Sequence, residues 1–459
     1  MKANYSILFL SLALALGLYW GLMMIANQPH GISVTAAITL FVAVLWISEA
    51  LPIPVTSLIP FFAFPMAGVL THEQAASALG SHVILLLMGA FMLSKSLEKS
   101  NVHRRLALYM LRITGSHSAK RLVLGFMLTA AVLSMWISNT ATTLMLLPIV
   151  LAIIPLIKEP KIVVALLLGI AYAASVGGVG TPIGTPPNII FMSVYTETQG
   201  VGINFLEWMK TGIPIVIIAI PLMALWLTRG LSEMAHVELP KVGLWQAAEK
   251  RVLIVFAIVA LAWILRPYWT DWFAMPYVGD STIALLGVVL MFSVPSGVRD
   301  EQGNRETLLD WKTANAIPWG MLLLFAGGIC IAKAFSASGL SDVMGGWLTG
   351  LTELPIPILV LGICLFVTFL TEITSNTATA TLLMPILATA GMAAGIDPAL
   401  LMMPAAISAS CAFMLPVATA PNAIVYGTDK FSIKTMAREG FALNIIVALV
   451  VTGVVTVTR

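Results

Sequence analysis

The sequence predicts an all-α integral membrane protein built from two inverted copies of one unit. Three observations carry that prediction. Of 459 residues, 59% are hydrophobic and only 10% are charged, whereas a soluble domain carries about a quarter charged residues. The apolar runs are continuous and about 20 residues long, which fits spanning helices and not the ~10 alternating residues of a barrel strand. Finally, one polar stretch is written twice: residues 138–148 read Ser-Asn-Thr-Ala-Thr-Thr-Leu-Met-Leu-Leu-Pro, and residues 375–385 read Ser-Asn-Thr-Ala-Thr-Ala-Thr-Leu-Leu-Met-Pro.

Taken in order, residues 1–32 supply an N-terminal helix near 5–26. Only Lys2 precedes it and no clear cleavage site follows, so a spanning helix is expected in place of a signal peptide. A first repeat, 33–230, holds spans near 33–51, 54–71 and 83–112, a long apolar block at 122–157, and spans near 162–194 and 212–230. The polar stretch 231–250 breaks the hydropathy and reads as a cytoplasmic linker. The second repeat, 251–459, holds spans near 251–267, 281–297 and 318–340, a block at 356–392, and spans near 399–427 and 439–457. That is about eleven transmembrane helices plus two blocks.

Charge shows that each block returns to the side it left, as a re-entrant hairpin and a tight pair of full spans both would. With a cytoplasmic N-terminus and both blocks returning to the side they left, 20 Lys and Arg fall inside. Only Lys210, Arg266 and Arg459 fall outside, and Lys333 stays within a span. This is the positive-inside pattern. Ser138 and Ser375 sit near the middle of their blocks without the Gly, Asp or Lys of a solvent-facing turn, so both blocks are expected to be re-entrant hairpins.

The duplication extends beyond the hairpins. Gly89–Lys95 matches Gly327–Lys333 at an offset of 238, Ser138 matches Ser375 at 237, and 181–188 (Thr-Pro-Ile-Gly-Thr-Pro-Pro-Asn) matches 415–422 (Leu-Pro-Val-Ala-Thr-Ala-Pro-Asn) at 234. The copies start on opposite sides, so the repeats are inverted. Pro182, Pro186 and Pro187 in one span and Pro416 and Pro421 in the other should break each helix, because proline removes a donor and blocks the preceding turn. Broken backbone survives in a bilayer only where it lines a cavity or is buried in protein. Inverted repeats with interrupted helices point to a secondary transporter with its site at the repeat interface.

The freed carbonyls, with Ser and Asn oxygens, are neutral hard ligands suited to sodium. The new helix N-termini and the Thr and Asn donors suit an anion. Glu372 is the only charged residue in 134–148, 181–188, 371–385 and 415–422. A desolvated dianion there needs compensation, and two copies of the motif predict at least two co-bound cations. Sodium-coupled uptake of a dianion is the resulting expectation. The same Ser, Thr and Asn could instead serve only as interhelical glue. Glu372 could tune a cation or cap the hairpin wall, and Lys95 and Lys333 read as snorkelling or paired.

Other function classes lack their residues. The spans show no nucleophile with a base and no His/Asp/Glu metal set, which excludes an intramembrane enzyme. Cys330, Cys364 and Cys411 lie unpaired in apolar runs. The net charge of +3 comes from residues sorted by side, so no basic patch for nucleic acid forms.

The two Ser-Asn-Thr triads, the Gly-Thr-Pro-Pro-Asn and Ala-Thr-Ala-Pro-Asn breaks, and Trp46-Ile47-Ser48-Glu49-Ala50-Leu51-Pro52 together resemble the divalent anion/sodium symporter family over essentially the whole chain. The resemblance implies eleven spans with two re-entrant hairpins, a homodimer, and elevator-type movement of a transport domain against a scaffold domain in the bacterial cytoplasmic membrane. It implies one sodium site from Ser134, Ser138, Asn139 and the Gly184 carbonyl, and a second from Thr371, Ser375, Asn376 and the Ala418 carbonyl. Substrate carboxylates would meet Asn139, Thr140 and Thr185 from one repeat and Asn376, Thr377 and Thr419 from the other. Ser134 and Thr371 each lie four residues before the motif serine, which one helical turn aims toward one ion. The implied cargo is a C4-dicarboxylate such as succinate, malate or fumarate with sodium. A sodium-independent di- or tricarboxylate exchanger and a sulfate symporter stay open.

Overall fold

A computed structural model describes residues 5–114, 118–231, 243–299, 303, 305–348 and 354–458. The chain is mostly helical. It opens with α1 (Tyr5–Met24) and α2 (His30–Ser48), which pack as a pair, followed by the short α3 (Ile53–Thr56), α4 (Ile59–Met66) and α5 (His72–Leu79). Next come α6 (His82–Lys99) and α7 (Val102–Thr114). The hairpin α8 (Ala119–Ser134) and α9 (Asn139–Ile153) is followed by α10 (Pro160–Gly177), α11 (Pro186–Gln199) and α12 (Phe205–Leu227).

After the linker come α13 (Ala247–Ile264), α14 (Arg266–Trp272) and α15 (Asp280–Ser293). A small antiparallel ribbon, β1 (Pro295–Arg299) and β2 (Arg305–Thr307), leads to α16 (Trp311–Ala314), α17 (Trp319–Ser338) and α18 (Leu340–Leu348). A second hairpin, α19 (Ile356–Thr371) and α20 (Asn376–Ala393), precedes α21 (Ala399–Ala409), α22 (Ala420–Tyr426) and the final α23 (Ile433–Thr458). Long helix, short helix, hairpin, interrupted helix and long helix thus follow one another twice, from α6 to α12 and from α17 to α23.

Among the described residues, eight helices are long and apolar enough to cross a membrane, or nine if α13 and α14, bent by 78°, count as one span. About eleven were expected; the eight include α9, an arm of the first hairpin, and the expected spans that fall short are 54–71, 281–297 and 399–427, while 83–112 is represented by α6 with bounds that differ. The expected span 54–71 is divided into α3 and α4, with Pro52, Pro54, Pro60 and Pro65 interrupting the ladder. The expected span 83–112 stops at Lys99, because Asn101 takes a left-handed φ of 56°. Beyond it α7 turns a polar face carrying His103, Arg104 and Arg112. The expected span 281–297 ends at Ser293 and runs into β1, so the chain is not purely α. The 231–250 linker falls largely on 232–242, outside the described residues, and its last residues already belong to α13.

The first arm of each hairpin is short. At 1.5 Å per residue the 16 residues of α8 or α19 measure about 24 Å, less than the ~30 Å of a hydrocarbon core. The cores of α10 and α21 are almost wholly buried. The second half of each interrupted helix packs on the other hairpin set: α22 on α9 and α10, α11 on α20 and α21. This crossing brings the two tips together.

Two ion pairs fix the periphery. Arg105 on α7 bonds Glu249 at the start of α13 (2.9 Å) with both side chains buried, and it also donates to the Gly243 and Leu244 carbonyls. Lys99 holds Asp310 at 2.8 Å. Burial raises the Asp310 carboxyl, but bonds from Lys99 and Thr313 outweigh it and hold the group down to about 2.

Candidate functional site

Each hairpin tip is built by one polar turn. Ser138 caps α9, its Oγ accepting from the Ala141 amide at 3.2 Å; Ser375 occupies the same position on α20 without a side-chain cap bond. Behind each tip lies a buried hydroxyl. Thr371 Oγ1 donates to Asn376 Oδ1 at 2.7 Å, and Ser134 Oγ lies 2.6 Å from the Asn139 amide. Three oxygens face the end of that amide: Ser134 Oγ at 2.6 Å, the Ala174 carbonyl at 3.2 Å and the Gly184 carbonyl at 3.3 Å. With its own Oδ1 turned toward them the set is four neutral oxygens, a donor group for a small hard cation. With Nδ2 turned in, the amide satisfies them itself. In the second copy Thr371 adds a bond to the Ala409 carbonyl, 3.1 Å away.

The breaks in α10–α11 and α21–α22 are held by paired asparagines. Asn188 Nδ2 donates to the carbonyls of Gly178 and Thr181 (2.9 and 2.8 Å); Asn422 Nδ2 donates to those of Ala412 and Leu415 (both 3.0 Å). Pro182 and Pro416 lack the N–H that a continuous helix would bring to the Gly178 and Ala412 carbonyls, and the asparagines supply that donor instead. Pro186 and Pro421 then start α11 and α22, where a missing N–H does no harm. Thr185 and Thr419 occupy the N-caps: Thr419 accepts from the Asn422 amide at 3.2 Å, while Thr185 meets Ser410 at 3.1 Å across the two sets.

Ten of the twelve candidate residues line one cavity of about 730 Å³: Ser138, Asn139, Thr140, Gly184 and Thr185 from one side, Ser375, Asn376, Thr377, Ala418 and Thr419 from the other. Ser134 and Thr371, fully buried, stand immediately behind it. The starts of α9, α11, α20 and α22 all border this hollow, and the positive ends of their helix dipoles favour negative charge. Glu49 and, from α6, Ser94, Lys95 and Glu98 complete the wall.

Beyond the four motif stretches, that wall carries charge. Lys95 belongs to it, with its ammonium taken by Glu98 at 2.6 Å. Lys333, its counterpart, meets Ser77 at 2.9 Å and Glu197 at 3.4 Å. Glu372 does not face the cavity as a cation ligand. Its Oε1 accepts from the Phe413 and Met414 amides and Asn444 Nδ2 (2.8, 2.9 and 2.8 Å), and its Oε2 from the Leu415 amide at 3.0 Å. It caps the second break. Sequence reasoning assigned no role to Asn188, Asn422, Ser410, Asn444 or the Ala174 carbonyl. The two break asparagines were legible as matched positions, and Asn444 as a lone amide in an apolar span.

Accessibility follows from burial. In a background lacking the three buried native cysteines, Ser138→Cys is expected to react with a membrane-impermeant thiol reagent. Thr143→Cys, one turn deeper and fully buried, is expected not to. Equal labelling of both would contradict the cavity described here.

The model of the family described as "Sodium:sulfate symporter transmembrane region" matches residues 6–458. The sodium-dependent dicarboxylate transporter SdcS of Staphylococcus saprophyticus is 40% identical over 461 residues, covering 95% of this chain and 88% of the relative. SdcS of Staphylococcus aureus (strain USA300) is 40% identical over 442 residues, covering 91% and 84%. Among solved structures, the YdaH transporter of Alcanivorax borkumensis superposes with a TM-score of 0.58 at 13% identity, over 94% of this chain and 98% of that one. That last likeness concerns the fold alone.

Proposed function

The chain belongs to the sodium:sulfate symporter family, and we propose that it is a sodium-coupled transporter of C4-dicarboxylates such as succinate, malate and fumarate. One observation carries the reading: both Ser-Asn-Thr tips and both proline breaks open on a single cavity, in a chain 40% identical to a sodium-dependent dicarboxylate transporter. In this reading one sodium ion is held by Ser134, Ser138, Asn139 and the Gly184 carbonyl, with Ala174 adding a further carbonyl. Thr371, Ser375, Asn376 and the Ala418 carbonyl hold a second. The carboxylates of the cargo meet Asn139, Thr140 and Thr185 at one end and Asn376, Thr377 and Thr419 at the other. Two cations offset the two negative charges, so desolvation does not exclude the substrate.

Repeat 33–230 and repeat 251–459 act as inverted halves. Hairpins and interrupted helices move together as a transport domain past a scaffold containing α2, α6 and α17, which line the cavity from the other side. This is elevator-type alternating access in a homodimer of the bacterial cytoplasmic membrane with a cytoplasmic N-terminus.

Proteoliposomes offered labelled succinate, malate, fumarate, citrate or sulfate, with and without an inward sodium gradient, test this. Succinate uptake is expected to depend on the gradient. Sodium-independent counterflow of one carboxylate for another would establish an exchanger instead, and preferential sulfate uptake a sulfate symporter.

A further inference from the structure

α12 and α23 run side by side and leave a crevice of about 580 Å³, lined by Leu222, Leu225, Ile446, Leu449 and Val450. Both helices qualify as membrane spans, and Leu225 and Leu449 are more than half exposed, so the crevice opens toward acyl chains. Its one charged lining residue is Arg229, just past the end of α12. The Arg229 guanidinium carbon lies over the Trp226 ring, 3.8 Å from its centroid, and the group bonds Glu439 at 2.7 Å. Arg438 bonds the other oxygen of Glu439 at 2.9 Å through Nη2 and at 3.2 Å through Nε, and Trp226 Nε1 adds a third donor at 3.0 Å. Glu439 is buried while Arg438 is 74% exposed.

Two guanidiniums therefore share one carboxylate, and the cluster carries a surplus positive charge at the polar end of an apolar slot. We propose that this slot binds an anionic glycerophospholipid, with its acyl chain along Leu222, Leu225 and Leu449 and its phosphodiester against Arg229 and Arg438. The geometry joins both chemistries of such a lipid. Trp226 stands where an interfacial indole normally does, and Arg438 spends Nε and Nη2 on Glu439, leaving Nη1 for a second acceptor. A free phosphate would use none of the five aliphatic side chains. The proposal is independent of the cargo.

The test reads lipid retention. Protein is reconstituted in equimolar phosphatidylglycerol and phosphatidylcholine, extracted in mild detergent, and examined by native mass spectrometry. Phosphatidylglycerol is expected to be retained about fivefold over phosphatidylcholine, the weight of one surplus basic charge at the membrane surface. Arg438→Gln should bring the ratio to about one, and Arg438→Lys should keep it. Leu449→Trp, which fills the slot, should lower retention of both lipids. Excess inorganic phosphate should displace neither. No preference in the parent protein, a preference surviving Arg438→Gln, retention unaffected by Leu449→Trp, or displacement by phosphate would each overturn the proposal. Leu449 and Arg438 are exposed, and in Arg438→Gln the buried Glu439 carboxylate keeps Arg229 and Trp226 as partners.

Discussion

Glu372→Ala is expected to abolish accumulation of folded protein, or to lower its stability in detergent by several kcal/mol. The carboxylate is buried (4% exposed) and serves four donors at once: three consecutive backbone amides, at residues 413–415, and the Asn444 side chain. Truncation leaves the Met414 and Leu415 amides and Asn444 Nδ2 without this acceptor, at about 1–3 kcal/mol each, while the Phe413 amide keeps Asn444 Oδ1 at 3.2 Å. The prolines prevent a continuous helix there, and Asn422, which holds the carbonyls of the same break, supplies no acceptor for these amides. Glu372→Gln should fall between, since its amide oxygen can still serve the Phe413 and Met414 amides while its NH₂ faces the Leu415 N–H. Thermal unfolding of the purified variants decides it. An alanine variant melting with the parent would mean the capping role is wrong.

Gly178→Ala is expected to reduce sodium-driven succinate uptake by about ten- to a hundredfold, the range typical when the groups orienting a cation's ligands are disturbed. A Cβ at 178 would lie 2.8 Å from Asn139 Oδ1 and 2.9 Å from the Gly184 carbonyl oxygen. Both atoms belong to the same oxygen set, so the methyl group would push apart the ligands that must close on the ion. Gly453→Ala, whose Cβ meets nothing within 4 Å, is the control and should transport normally. The proposed ion site would be refuted by a Gly178→Ala variant with the parent's sodium dependence.

Some of this was legible in the residues. Ser138 and Ser375 announced two tips because polar residues in the middle of an apolar block need a partner, and the prolines announced two breaks because proline cannot continue a helix. Lys95 reads as snorkelling or paired from sequence, and it is paired, with Glu98. The sequence reading of the span 83–112 failed for a local reason. Nothing in hydropathy marks Asn101 as left-handed, and the amphipathic α7 continues the same apolar count. Glu372 was ambiguous because its choice between cation and backbone depends on where residues 413–415 lie, forty residues away in the chain.

By itself the sequence determined that the chain lives in a bilayer, that a polar motif is duplicated inside it, and where its helices must fail. These follow from composition, periodicity and proline chemistry, all properties of short windows. Only the tertiary structure decided that the two tips share one hollow, that Lys95 stands in its wall, that Glu372 caps a break, and that Arg229 and Arg438 meet over an apolar slot. Each of those depends on contacts between residues far apart in the chain, which no local pattern encodes.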